Sequence, residues 1–204
     1  MKSRQANPRG PKPKPGVREN LIQTGLRLIH AEGYTASGIQ SIVEAAEVPK
    51  GSFYTYFESK EAFGSEVADA YFARGLGKLR DLLLDTNVAP LARLETYFDD
   101  RIEALRAGKY TRGCLLGNLT VEVADHSTLI RDRLVQHLGE WSRFFEGCIA
   151  EAQKQGKIRN QLPADVLGRF LLNSWEGALI RMRAEKSDNP LTEFKKVIFG
   201  TLLV

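Results

Sequence analysis

Apolar residues recur every three or four positions along most of the chain, which is the spacing of helices with one buried face. In the first such run, the apolar positions are Leu21, Ile22, Leu26 and Ile29. Gly33 follows this run and is typical of a helix C-terminus. Ser37 is a suitable N-terminal cap for a short second helix over Ile39–Ala46, and it is also a candidate contact to DNA phosphate.

A turn at Glu47 and Val48 separates the second helix from a very short third one. Pro49 suits the first position of that third helix, because its fixed φ angle matches a helix start. The helix is expected to end at Tyr56, and Ser59 is expected to cap a long fourth helix that begins at Lys60.

The rest of the chain repeats the helical spacing without any run of alternating strand positions or any internal repeat. The predicted further helices cover 87–107, 113–123 and 127–155, and two more begin at Pro163 and Pro190. We therefore predict an all-α fold. Its expected parts are a flexible basic tail over 1–16, a three-helix domain over 17–62 and a larger helical domain over 63–204.

Two short helices joined by a tight turn form a helix-turn-helix, whose second helix enters the DNA major groove. The candidate reading helix is 49–56. Gly51 and Ser52 are small enough for close approach to DNA, while Lys50 and Tyr54 can donate hydrogen bonds to phosphates. The aromatic residues Phe53 and Phe57 are expected to point inward.

Positive charge is concentrated at the N-terminal end. Residues 1–60 hold nine Lys and Arg against five Asp and Glu, whereas residues 61–204 hold twenty of each. Such an asymmetry favours contact between the N-terminal part and a polyanion. In the tail, Arg9, Lys12 and Lys14 belong either to an arm that reaches DNA or to a solubilising segment, and the sequence leaves both interpretations open.

The two cysteines, Cys114 and Cys148, are far apart and lie in no metal-ligand pattern, so a disulfide framework is excluded and a reducing compartment is expected. The three histidines show no metal spacing either. The chain has no secretory signal and no membrane-spanning run. We expect a cytoplasmic protein without a metal or other cofactor.

The stretch Gly33–Phe63, GYTASGIQSIVEAAEVPKGSFYTYFESKEAF, resembles the signature of the TetR family of transcriptional regulators. The resemblance implies a DNA-binding domain of about three helices and a ligand-binding, dimerising domain of about six. It places Lys50, Gly51, Ser52, Tyr54 and Thr55 at bases or nearby phosphates. It places two further residues, Tyr56 and Lys60, at the DNA backbone.

The family's two-fold dimers imply a homodimer on a palindromic double-stranded DNA operator. The expected dimer surface consists of stripes on the last two helices, containing Phe170, Ser174, Ala178, Phe194, Val197, Ile198 and Thr201. Two positions depart from the family pattern. Glu47 replaces a common glycine, so a left-handed conformation there would cost about 1 kcal/mol. Thr55 stands where many members have histidine, so a base preference cannot be transferred.

Two C-terminal segments, RGCLLGNLTVEVAD over 112–125 and SWEGALIRMRAE over 174–185, resemble the acrylate-responsive and electrophile-responsive branch of the family. In that branch the cysteine of the first segment senses the effector, which implies this role for Cys114. Arg112 and a helix start near Gly113 are expected to lower the pKa of the thiol. The alternative is that Cys114 is a small buried packing residue, as Cys148 is expected to be.

Other candidate ligand-binding residues are Trp141, Trp175, Glu176 and Arg181. The tryptophans either line a pocket or form part of the core. Glu176 stands within an apolar run, and Arg181 or Arg183 is expected either to pair with it or to hold a ligand carboxylate. The two charges can equally face solvent.

The sequence therefore predicts a DNA-binding repressor, and not an enzyme, that a small electrophile or unsaturated acid releases from its operator. An activator or dual regulator is not excluded. A thiol-dependent enzyme acting through Cys114 is the alternative from another class, although it would not need the helix-turn-helix. A helical dimerisation module without a DNA role fits the charge asymmetry less well.

Overall fold

The computed structural model describes residues 14–204, and their regular structure is entirely helical, which confirms the all-α prediction. The nine α-helices are α1 Val17–Glu32, α2 Ile39–Ala45, α3 Lys50–Tyr56, α4 Lys60–Leu83, α5 Pro90–Ala107, α6 Leu115–Val123, α7 Thr128–Lys154, α8 Ala164–Glu185 and α9 Asn189–Val197. A π-helical turn, Ile198–Leu202, continues α9. None of these helices is long and apolar enough to cross a membrane.

Helices α1, α2 and α3 pack around a small apolar core and form the N-terminal helix-turn-helix domain. The predicted stripe on α1 is buried, and Ile42, Phe53 and Phe57 close the core from the other two helices. Phe63 extends this core into α4, where its ring lies 5.2 Å from that of Phe53. Helix α4 thus belongs to both parts of the molecule, and the predicted boundary at residue 62 falls inside it.

Several predicted helix ends hold and others do not. α1 ends at Glu32 with Gly33 as its C-terminal cap at φ 95°, and the Ser59 side chain caps α4 by accepting a hydrogen bond from Ala62 N at 3.0 Å. Ser37 does not cap α2, because its hydroxyl donates to Gly33 O at 2.7 Å and Gly38 occupies the cap position instead. Pro49 precedes α3 as its cap and is not its first helical residue.

Two predicted starts in the larger domain lie too early. α5 begins at Pro90, because Asn87 is held in a turn by two hydrogen bonds of 3.0 Å to the Asp85 carboxylate. α6 begins at Leu115, with Cys114 rather than Gly113 at its start. The other long helices agree with the prediction within a residue or two, as helix ends usually do.

The larger domain is built around an aromatic cluster centred on Phe98 of α5. The centre of the Phe98 ring lies 5.0 Å from that of Trp175 of α8, 5.4 Å from that of Phe145 of α7 and 4.9 Å from that of Phe194 of α9. Phe194 and the neighbouring Ile198 are therefore buried within their own chain, and so is Ala178 of α8. The predicted dimer stripes are wrong at these three positions. Burial of aromatic rings of this size is the largest single source of apolar stabilisation in such a domain.

Candidate functional site

The turn between α2 and α3 has the geometry of a helix-turn-helix. Glu47 adopts φ 55°, the left-handed conformation that its side chain makes unfavourable by about 1 kcal/mol. The turn is closed by a hydrogen bond from Val48 N to Val43 O at 3.0 Å. Glu47 therefore adopts the left-handed conformation expected of the glycine that it replaces. This conformation positions α3 despite its unfavourable energy.

Helix α3 is anchored by its inward aromatic residues, as predicted. Phe53 is fully buried, and the ring of Phe57 lies 4.9 Å from that of Phe63. This anchoring turns the opposite face outward, where Lys50 and Gly51 are exposed and Tyr54 is 55% exposed. The face that family resemblance assigns to DNA is thus the free face of α3; Ser52 and Thr55 are half-buried at its edges.

Two further candidates for DNA contact lie beside this face and make contacts of their own. The Tyr56 hydroxyl accepts a hydrogen bond from Lys14 N at 2.7 Å and donates one to Lys14 O at 3.0 Å, which fixes Lys14 next to the end of α3. Lys60 Nζ donates to Tyr34 O at 2.7 Å and lies 4.4 Å from the centre of the Tyr34 ring. Its ammonium group is therefore already held by the α1–α2 connection.

Two groups of candidates do not belong to this described face. Ser37 has 0% exposure, so its side chain lies in the core and not on a surface that could meet DNA. Arg9 and Lys12 lie outside the described residues.

A cavity of about 450 Å³ lies between the DNA-binding domain and the larger domain. Its size is in the range of small-molecule sites. α1 contributes Leu26 and His30, and the segment before α6 contributes Gly113 and Cys114. The rest of its apolar wall combines five aromatic residues with four aliphatic ones: Tyr71, Phe72, Tyr97, Trp141, Trp175, Leu79, Ala104, Leu105 and Leu179.

Cationic side chains surround the same cavity. They are Arg74, Lys78, Arg101 and Arg112, and the acidic residue among the lining side chains is Asp100. Lys78 Nζ lies 2.5 Å from Asp100 Oδ1, and Arg101 lies 3.4 Å from Asp100 Oδ2. Positive charge exceeds negative charge at this site, so it favours an anionic ligand.

Cys114 lies on the cavity wall and is 5% exposed. Burial raises the pKa of its thiol well above the ordinary value, and the nearby Glu176 carboxyl raises it further. Hydrogen bonds from Gly117 N and Leu116 N oppose this shift, as expected at a helix start. The prediction of a lowered pKa is therefore wrong in direction, because burial outweighs the helix start. Cys148 is buried core, as predicted.

The remaining predicted ligand residues are not all brought together. Trp141 and Trp175 line the cavity, and within residues 14–204 the buried Trp141 Nε1 has no hydrogen-bond partner. Glu176 does not line the cavity and lies beside Gly117 and Cys114. Arg181 points away and pairs with Glu185 at 2.5 Å, because that partner is one turn along the same exposed helix face. Of the two alternatives left open by the sequence, Arg181 therefore follows the one in which its charge faces solvent, while Arg183 donates to Asn118 Oδ1 at 3.0 Å and not to Glu176.

His30 was not identified from the sequence as a functional residue, yet it connects the two domains at the cavity. Its Nε2 donates to Gly113 O at 2.8 Å, and its ring packs edge-on against Tyr71. Burial lowers the pKa of His30, and the positive charges of Arg112, Arg183 and Arg74 lower it further against the effect of the Gly113 hydrogen bond. No sequence signal marks this contact, since 83 residues separate the partners.

Among residues 14–204, no group of three or more His, Cys, Asp or Glu side chains is arranged to hold a metal ion. The cavity offers apolar surface, cations and one thiol, which are groups that can bind a small organic molecule.

Comparison with known proteins agrees with this arrangement. Residues 21–67 match the family described as bacterial regulatory proteins, tetR family, and residues 90–198 match the tetracyclin repressor-like C-terminal domain. The chain is 42% identical over 187 residues to the HTH-type transcriptional repressor DhaR of Mycobacterium sp. (strain GP1), covering 92% of each protein. It is 36% identical over 203 residues to the transcriptional regulator AcuR of Cereibacter sphaeroides, covering 98% of this chain and 91% of that one.

Among solved structures, the regulatory protein TetR from Rhodobacter sphaeroides superimposes with a TM-score of 0.84 at 34% identity, covering 92% of this chain and 99% of that one. The helix-turn-helix, the cavity and these similarities over nearly the full length agree with one another. The chain therefore belongs to the TetR family of transcriptional repressors, with an N-terminal DNA-binding domain and a C-terminal ligand-binding domain.

Proposed function

We propose that this repressor leaves its operator when a small electrophile or unsaturated acid enters the cavity and engages Cys114. The observation that carries the proposal is the position of the thiol. Cys114 lies on the wall of a cavity of about 450 Å³, and the preceding residue, Gly113, is hydrogen-bonded to the DNA-binding domain through His30.

The chemistry of the cavity supports an unsaturated acid as the effector class. Arg101 and Arg112 can bind a carboxylate, since guanidinium groups match its geometry. The aromatic wall suits an apolar or conjugated body, and the unpartnered Trp141 Nε1–H, within the described residues, can donate to a carbonyl oxygen. Arg101 and Arg112 thus bind the ligand carboxylate in this proposal, in place of Arg181.

Helix α6 is the element that transmits the ligand's effect to α1. At its start, Gly113 O accepts from His30, and near its end Glu122 Oε2 accepts from Thr35 N at 3.0 Å. An adduct on Cys114 enlarges a packed side chain between these two contacts, so α6 and the connection after α1 have to shift. Release follows only if the ligand stabilises the shifted form more than the DNA-bound form.

A stripe of exposed residues on α8 supports a two-fold dimer formed with a second copy of this chain. Phe170 is 51% exposed and Ile180 is 65% exposed, although both are large and apolar. They lie on one face of α8 together with Val166, Asn173 and Gly177. The helical spacing makes this stripe continuous, and Val197 on α9 is exposed as well. A dimer through this surface implies a palindromic operator.

The proposal is tested by gel retardation of the DNA upstream of the gene, titrated with acrylate, an unsaturated aldehyde and a quinone. We expect tight binding without effector and release by at least one of these compounds. Saturated analogues of the same size, such as propionate for acrylate, serve as controls. Unchanged retardation with every compound would contradict the effector class while leaving DNA binding intact.

The same samples distinguish a sensor from a thiol-dependent enzyme. A sensor consumes at most one equivalent of electrophile per chain, because its adduct is the signal. An enzyme consumes many equivalents and regenerates the thiol. Quantifying the residual electrophile after incubation with substoichiometric protein gives the answer directly.

A further inference from the structure

Glu176 occupies a space beside Cys114 that exists because residue 117 is glycine. A methyl group at position 117 would lie 2.4 Å from Glu176 Oε2 and 3.8 Å from Cys114 Cβ. Any larger residue would displace the carboxylate from this place. The start of α6 and the middle of α8 thus hold a carboxyl group and a thiol side by side.

The carboxyl group is poorly compensated where it lies. Within residues 14–204, the buried Glu176 Oε1 has no hydrogen-bond partner. Burial raises the pKa of Glu176 to about 7, and the neighbouring Cys114 thiol offsets only part of this shift. A buried carboxylate without compensation costs stability, so its presence beside a nucleophile suggests a chemical role.

The two phenols that face this pair cannot accept the proton near neutral pH, because they are themselves protonated there. Tyr71 approaches from α4 and Tyr97 from α5, and burial raises the pKa of both phenols above the ordinary value. Cys114 itself remains a thiol at neutral pH, because burial and the nearby Glu176 raise its pKa. A thiol reacts far more slowly than a thiolate, so the reaction needs a nearby base.

We propose that Glu176 is the proton acceptor for the Cys114 thiol when an electrophile adds to the sulfur. The inference rests on the proposed function, in which Cys114 is the reacting residue. It assigns to Glu176 a part in the reaction itself, as the carboxyl group that lies beside the nucleophile.

The step balances with the groups present and an α,β-unsaturated carbonyl compound. The S–H bond breaks and its proton moves to a Glu176 oxygen, while the sulfur electron pair forms a bond to the β-carbon. The π electrons of the C=C bond move toward the carbonyl and give an enolate. The Glu176 carboxylic acid then returns a proton to the α-carbon, which regenerates the carboxylate and leaves a thioether. The N–H groups of Leu116 and Gly117 stabilise the negative sulfur during transfer.

The test compares wild type, Glu176→Gln and Glu176→Asp for modification of Cys114 by N-ethylmaleimide, followed by intact-mass spectrometry between pH 5.5 and 8.5. The wild-type rate constant is expected to rise with pH and level off near pH 7, once Glu176 is ionised. Glu176→Gln should react about tenfold to hundredfold more slowly at pH 7.5 and lose the bend in its profile, in keeping with the size of general-base effects. Glu176→Asp, which keeps a carboxylate, should recover part of the rate.

Glu185→Gln is the matched control, because Glu185 lies exposed on the same helix and pairs with Arg181. It should react like wild type. A Glu176→Gln protein with the wild-type rate and pH profile would overturn the inference while Cys114 still carries an adduct. A faster reaction would overturn it too, because the carboxylate would then only suppress the thiolate. Absence of any adduct on wild type would overturn both this inference and covalent sensing at Cys114.

Discussion

His30 Nε2 lies 2.8 Å from the carbonyl oxygen of Gly113, the residue directly before Cys114. One hydrogen bond thus joins helix α1 of the DNA-binding domain to the wall of the effector cavity. A carbonyl can only accept, so His30 donates from Nε2 in either charge state. Any movement of Gly113 that follows modification of Cys114 therefore acts on α1 through this hydrogen bond.

Replacing His30 with Leu keeps a side chain of similar size and removes the hydrogen-bond donor to Gly113 O. We expect the variant to bind operator DNA within about threefold of wild type but to need about tenfold more effector for half release, a typical size for coupling between sites. Fluorescence anisotropy with labelled operator measures both quantities. His126→Leu, at an exposed histidine, is the matched control. Equal half-release concentrations for all three proteins would show that this hydrogen bond carries no coupling.

The pKa of Glu176 predicts a pH-dependent difference in stability between wild type and Glu176→Gln. Its folded-state pKa is raised to about 7, so the folded protein binds more protons than the unfolded chain between the ordinary value of 4.5 and about 7. Wild type therefore loses stability as pH rises through this window, by at most about 3 kcal/mol, whereas Gln does not titrate.

Urea unfolding at pH 5, 6, 7 and 8 measures this difference. The free energy of unfolding of Glu176→Gln should increase relative to that of wild type as pH rises. This difference should level off above pH 7. A constant difference across the series would show that Glu176 is not buried as a neutral acid.

Lys50 is the exposed cation at the start of α3. Its replacement by Ala should weaken binding to operator and random DNA alike and reduce the slope of log affinity against log salt by about one unit, because one phosphate contact is lost. Binding measured at several salt concentrations gives the slope. Lys196→Ala, exposed on α9, is the control and should leave the slope unchanged.

Lys60 calls for a different expectation, since its ammonium group already binds Tyr34 O. Lys60→Ala is expected to lower the thermal stability of the DNA-binding domain as well as DNA affinity.

Thr55→Ala removes a half-buried side chain at the edge of the α3 face and should change the preference among operator variants. A uniform loss over all DNA sequences would place Thr55 at phosphate rather than at a base.

The exposed stripe on α8 predicts that Phe170→Glu disrupts the dimer. A charge in the centre of an apolar interface is strongly unfavourable, so the variant should be monomeric at micromolar concentration by light scattering and should lose operator affinity. Val135→Glu, on an exposed position of α7 outside the stripe, should remain dimeric. A dimeric Phe170→Glu protein would place the interface elsewhere.

Much of the fold could be predicted because it depends on local patterns. The buried stripe of α1, the Ser59 cap and the inward Phe53 follow from spacing and side-chain type alone. Ser37 shows the limit of such reasoning: its hydroxyl had a partner at Gly33 O that the sequence did not reveal, so it neither caps α2 nor reaches the surface.

The cavity was less predictable, because its properties arise from contacts between distant segments. The helix start beside Cys114 was foreseen, but burial by α4, α5 and α8 reverses the direction of the pKa shift. The sequence left open whether Arg181 pairs with Glu176 or faces solvent, and only the folded chain shows that it faces solvent and pairs with Glu185. His30 and Gly113 are neighbours only in the folded chain.

Operator release and adduct formation at Cys114, measured in the same samples, test most directly whether the thiol is the sensor. Wild type and Cys114→Ser are bound to labelled operator and titrated with the releasing electrophile. Each sample is then divided between anisotropy and intact-mass spectrometry. The fraction of DNA released should follow the fraction of modified wild-type chains, while Cys114→Ser should bind operator, gain no mass and stay bound. Release of Cys114→Ser at the same electrophile concentrations, with no adduct on wild type, would contradict sensing at Cys114.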